Sequence, residues 1–91
     1  MEITKTTIKM AMRRGLDLEV YLDTSEDVLL LNVSLISDND AGSDAGVYYR
    51  VTKGGLFFDA ATINTEDWPN WIPTEARLRA YLDAMADALG S

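Results

Sequence analysis

Leu16-Asp17-Leu18-Glu19-Val20-Tyr21-Leu22-Asp23 reads as a strand before anything else in the chain can be placed. Apolar residues at 16, 18, 20 and 22 alternate with Asp17, Glu19, Tyr21 and Asp23, the period of two that puts one face of a strand on a core and the other toward solvent. Thr24 to Asp27 is a polar turn, and Val28 to about Ser37 is a second apolar run. Joining them by that turn sets Leu22 against Leu29, Val20 against Leu31, Leu18 against Val33 and Leu16 against Leu35. The second run also carries Val28, Leu30 and Ile36 on its other face, which suits a strand with neighbours on both sides.

Working backward from Leu16, residues 4–12 admit two readings. As a helix, Ile8, Ala11 and Met12 share a face and Gly15 ends it. As a strand, Arg13-Arg14-Gly15 becomes a hairpin loop with Gly15 left-handed. Met12, Met10, Ile8 and Thr6 then face Leu16, Leu18, Val20 and Leu22, while Lys9 meets Glu19 and Lys5 meets Asp23. Apolar and opposite-charge cross-strand pairs stabilise a sheet, so the hairpin is preferred.

Working forward, Asp38 to Gly46 is a loop of Asp, Asn, Gly and Ser. Val47–Thr52 and Leu56–Thr62 are two more strands, with Gly54-Gly55 as a two-residue turn needing positive φ. This register sets Arg50 opposite Asp59, Val51 opposite Phe58 and Tyr49 opposite Ala60. Asn64 to Pro73 is a connector holding Trp68 and Trp71. Thr74 then caps a helix whose apolar stripe is Leu78, Tyr81, Leu82, Met85 and Leu89, with Gly90 as its stop. Glu75, Arg79, Asp83 and Asp87 recur on its other face. The expected architecture is α+β, a single domain over 1–91. It has an antiparallel meander of about five strands with the C-terminal helix packed on one face. The alternative is an N-terminal helix, four strands and the C-terminal helix.

The 91 residues include no cysteine and no histidine. Disulfides, thiolate metal sites, Ser-His and Cys-His nucleophile pairs and the usual general base are thereby excluded. No glycine-rich phosphate loop occurs. Carboxylates are plentiful, but a thin sheet under one helix offers no deep cleft for a glycosidase pair. No enzymatic activity is expected, and no cofactor. The loop from Asp38 departs from the calcium-binding pattern: its fifth position is Gly42, its sixth Ser43 and its twelfth Tyr49. No metal is assigned to it. No apolar run approaches a membrane span and no basic-then-apolar leader opens the chain, so a cytoplasmic location is the default.

Net charge is −7 and unevenly spread: residues 16–46 carry eight carboxylates and no Lys or Arg, beside a basic N-terminal stretch. That balance repels nucleic acid and anionic membrane and attracts basic protein surfaces. Two groups of partner-binding candidates follow. The acidic group is Asp17, Glu19, Asp23, Glu26, Asp27, Asp38, Asp40 and Asp44. The aromatic group is Tyr21, Tyr48 and Phe57, expected on the sheet face away from the helix, with Trp68 and Trp71. At least one tryptophan is expected to plug the open end between sheet and helix. The functional expectation is a small acidic inhibitor, of the phage anti-defence or immunity kind, occupying a basic nucleic-acid-binding surface of another protein. The alternative is an adaptor or homodimer joined through the apolar sheet face.

Overall fold

A computed structural model describes residues 1–36, 46–62, 66 and 68–90. The elements run α1 (Lys5–Arg13), β1 (Leu16–Asp23), β2 (Val28–Leu35), β3 (Gly46–Thr52), β4 (Gly55–Ala61), β5 (Trp71–Ile72) and α2 (Glu75–Gly90). The strands form one antiparallel sheet in chain order. Both helices lie on the same side of it: α1 packs on β1, α2 on β2 and β5, and the helices touch each other.

The β1–β2 pairing follows the alternation. Leu16, Leu18, Val20 and Leu22 stand opposite Leu35, Val33, Leu31 and Leu29. This inner face continues through Val47 and Tyr49 of β3, Leu56 of β4 and Ile72 of β5. Against it α2 sets Leu78, Leu82 and Met85, and α1 sets Ala11. Thr74 caps α2 as expected, its Oγ1 accepting from the Arg77 amide at 3.2 Å. Burying each large aliphatic side chain contributes about 1.5–3 kcal/mol.

The N-terminal hairpin is overturned, because residues 5–13 are helical. Ile8, Met10 and Met12 alternate, but over so short a run a helix satisfies the same pattern with a different stripe. Thr7 and Ala11 are fully buried, Ile8 and Met10 are half-buried, and Met12 is exposed. Gly15, at φ +81°, follows the helix end, where the Arg14 amide donates to the Ala11 carbonyl and the Gly15 amide to the Met12 carbonyl. The proposed pairing of Lys9 with Glu19 and Lys5 with Asp23 disappears with the hairpin, and β1 becomes an edge strand. Five strands remain, since Trp71–Ile72 pairs with Phe57 and Leu56. The alternative was therefore right about the first helix and one strand short.

The β3–β4 turn is also corrected. Thr52 pairs with Gly55, so the turn residues are Lys53 and Gly54. Gly55 has φ +119°, whereas Gly54 has no positive φ. Tyr49 stands opposite Phe58 and Val51 opposite Leu56, with a register shift between Tyr48 and Tyr49. The reason is tertiary. A Cβ on Gly55 would lie 2.4 Å from the Ile72 carbonyl oxygen, so only glycine lets β5 pass there.

A polar clasp joins the two helices. Glu75 Oε2 accepts from the Thr4 amide at 2.6 Å and from the Thr4 and Thr7 hydroxyls, each at 2.8 Å. Arg79 Nε donates to Thr7 Oγ1 at 2.7 Å. The α1 first turn has no acidic residue of its own, and Glu75 supplies the negative charge from α2. One carboxylate thus sits at the positive ends of both helices. At the other end of α1, Arg14 pairs with Asp83 of α2.

Candidate functional site

Among the described residues no helix lies on the outer sheet face, and the register builds a continuous row across it. Tyr21 stands beside Leu30, Leu30 beside Arg50, Arg50 beside Phe57 and Phe57 beside Trp71. One residue from each of the five strands contributes, a span of about 19 Å at the usual strand spacing. Leu30 is 7 % exposed although it faces away from the core, because the row closes over it. Tyr21, Phe57 and Trp71 are 38 %, 43 % and 53 % exposed. A second row sets Glu19, Asn32, Tyr48 and Ala60 side by side, with Tyr48 half-buried.

Two bonds hold this surface in place. The Phe57 and Trp71 rings stack with centroids 6.2 Å apart and planes 17° from parallel. Trp71 Nε1 donates to the Gly54 carbonyl at 2.9 Å, which anchors the indole to the β3–β4 turn. Its one polar group is thereby satisfied within the domain, and what it presents outward is apolar ring. Such a ring, already ordered, loses little freedom on docking.

The carboxylates lie on the same face. Asp17, Glu19 and Asp23 occupy β1 at the positions that alternate with the inner leucines, so they border the aromatic row instead of forming a separate surface. Asp17 and Glu19 are exposed, and among the described residues neither has an ion-pair partner. Asp23 accepts from the Ser25 hydroxyl and amide, at 2.6 and 3.0 Å, and these bonds lower its pKa. Burial in the row raises the Tyr21 pKa, and the neighbouring Tyr48, Asp23, Glu19 and Asp59 raise it further. Arg50 Nε binds Asp59 Oδ1 at 3.0 Å. These two residues pair through their side chains as the sequence suggested, although the Cα partner of Arg50 is Phe57.

The remaining candidates divide. Glu26 and Asp27 are exposed in the β1–β2 turn, where Asp27 takes φ +56°. Asp38, Asp40 and Asp44, with the loop considered for calcium, lie outside the described residues. Trp68 is 8 % exposed within the core cluster and acts as the plug between sheet and α2. Beside it the Tyr49 hydroxyl donates to the Pro69 carbonyl at 2.7 Å, and burial raises the pKa of that phenol. A groove of about 300 Å³ runs along this side, lined by Trp68, Pro69, Tyr81, Met85 and Asp87 among others. Among the described residues no three His, Cys, Asp or Glu converge as a metal site, and no helix is long and apolar enough to cross a membrane.

Sequence reasoning placed Tyr21, Tyr48 and Phe57 on this face but missed Arg50 and the place of Trp71 in the sheet. Arg50 was assigned to an opposite-charge pair, and a two-residue strand carries no periodic signal. Compared with known proteins, the chain matches no family model, no curated protein and no solved structure.

Proposed function

We propose that this chain is a non-catalytic binding domain that holds a basic protein surface against the outer face of its sheet. One observation carries the reading: a row with one residue from each of the five strands exposes Tyr21, Phe57 and Trp71 around Leu30 and Arg50, and among the described residues the carboxylates that border it on β1 have no basic partner. A small protein seldom leaves such a face bare, and Trp and Tyr are the residues on which interfaces concentrate their energy. The carboxylates steer a basic partner toward the face and fix its register. An inhibitor that occupies a nucleic-acid-binding surface is the specific form we favour. Asp17 and Glu19, about 6.7 Å apart along β1, would take the place of phosphates there.

Affinity capture from native extract tests this, using the intact chain and three variants at increasing salt. Phe57→Ala with Trp71→Ala is expected to weaken binding about 30-fold, the equivalent of about 2 kcal/mol. Asp17→Lys with Glu19→Lys is expected to weaken it as well and to flatten its salt dependence. Glu26→Lys with Asp27→Lys, off the face, should change it less than about threefold, within the range of rim charges. Loss of the partner in the turn variant alone would overturn the assignment. Dimerisation through the same face would appear as a doubled mass that the aromatic variant abolishes.

A further inference from the structure

Resting on that reading, we propose that the open edge of β1 takes an extended segment of the partner as a sixth strand. The segment's Lys or Arg residues would alternate with apolar ones. The basic residues lie beside Asp17, Glu19 and Asp23 on the outer face, and the apolar residues lie beside Val20 and Leu22 on the inner face.

Three features of β1 select this occupant. The strand is eight residues long and, among the described residues, pairs only with β2, whereas the opposite edge, β5, is two residues long. An edge of that length presents a run of backbone donors and acceptors suited to strand addition. Its inner face also extends past the helices. Val20 is 41 % exposed, Leu22 52 %, and Leu29, the cross-strand neighbour of Leu22, 45 %. These side chains point to the core side of the sheet, yet neither α1 nor α2 buries them. An added strand with apolar residues at alternate positions would cover them without altering the fold. Finally, the outer side chains at 17, 19 and 23 are all carboxylates.

Those charges exclude the simplest alternative occupant. Antiparallel pairing of β1 with β1 of a second copy would set carboxylate against carboxylate, which is destabilising. The edge is thus closed to self-pairing and open to a strand of opposite charge. The complementarity is sharp enough that Lys5 to Met12, with Lys9 and Lys5 in step with Glu19 and Asp23, reads as a partner for β1. In the folded chain those residues are held in α1 by the Glu75 clasp, so an outside strand must supply the pairing.

The test uses an eight-residue fluorescent peptide alternating Lys with Val. The comparison peptides have the same composition in two blocks, or carry N-methyl groups on one or the other alternate set of backbone amides. Fluorescence anisotropy is read with the full chain. The alternating peptide is expected to bind, the block peptide at least tenfold more weakly, and one of the two N-methyl peptides at least tenfold more weakly while the other retains affinity. Asp17→Lys with Glu19→Lys should weaken binding of the alternating peptide. Absence of binding overturns the edge proposal. So does equal binding of all four peptides, which would report charge attraction alone. If that equal binding is lost in the Phe57 and Trp71 variant, the outer-face reading stands while the edge proposal fails. If N-methylation matters but partner capture ignores Phe57 and Trp71, the edge stands and the face reading fails.

Discussion

Replacing Gly55 by valine is expected to lower stability by about 4 kcal/mol, roughly 16–32 °C in melting temperature for a domain of this size. Two costs combine. The residue sits at φ +119°, where an L side chain is strained by about 1–3 kcal/mol. A Cβ would also lie 2.4 Å from the Ile72 carbonyl oxygen and 2.8 Å from the Pro73 Cα. Both are backbone atoms, so relief requires β5 to move away. That would uncover Ile72, which is fully buried, at about 1.5–3 kcal/mol. It would also part Trp71 from Phe57. The adjacent glycine behaves differently: at Gly54 nothing lies nearer to a new Cβ than 3.8 Å and φ is not positive. Gly54→Ala should therefore cost under about 1 kcal/mol, within the range of surface substitutions in turns. Thermal unfolding of the pair is decisive, since equal melting temperatures would remove the close approach of β4 and β5.

The second large effect belongs to Glu75. Glu75→Ala is expected to cost about 3 kcal/mol, because one carboxylate oxygen serves the Thr4 amide, the Thr4 hydroxyl and the hydroxyl of fully buried Thr7. Hydrogen bonds to charged groups contribute about 1.5–3 kcal/mol each and do not add fully when they share an acceptor. The clasp also has a pH signature. Desolvation raises the Glu75 pKa, but the bonds from Thr4 and Thr7 and the Arg79 charge outweigh it, so the net shift is downward. A carboxyl whose folded-state pKa is depressed stabilises fully above its unfolded value of about 4.3 and loses that contribution as pH falls through the folded value. Urea unfolding of the native protein should therefore weaken more steeply with acid below about pH 4.3 than that of Glu75→Gln. Parallel pH profiles would show that the carboxylate carries no charge-dependent stability.

These two sites also show why parts of the fold were legible and others were not. Where one strand's alternation meets another's, the register follows from residue type, and Leu16 to Leu22 found Leu35 to Leu29 without structural help. The α2 stripe is equally plain, because Leu78, Leu82 and Met85 recur at helical spacing over sixteen residues. The first helix was obscured because its capping charge comes from Glu75, about 70 positions away. Its buried stripe also uses Thr7 and Ala11, residues with weak apolar signal. Likewise, the choice between Gly54-Gly55 and Lys53-Gly54 as the turn rests on the approach of Ile72, which no local pattern contains. For the site, alternation alone put Tyr21, Tyr48 and Phe57 on one face. It did not reveal that Asp17, Glu19 and Asp23 share that face without compensation, because the expected hairpin had paired Lys9 and Lys5 with Glu19 and Asp23. Correcting one local element therefore changed the electrostatics of the candidate interface.

The two tryptophans allow that interface to be read directly, since Trp71 lies on the outer face at 53 % exposure and Trp68 lies in the core beside the α2 groove at 8 %. In protein labelled with 5-fluorotryptophan each gives one fluorine resonance, assigned with Trp68→Phe. On titration with the captured basic partner, the Trp71 resonance should shift and lose its solvent-isotope effect while the Trp68 resonance stays in place. A shift of Trp68 with Trp71 unmoved would place the partner on the helical side and contradict the account.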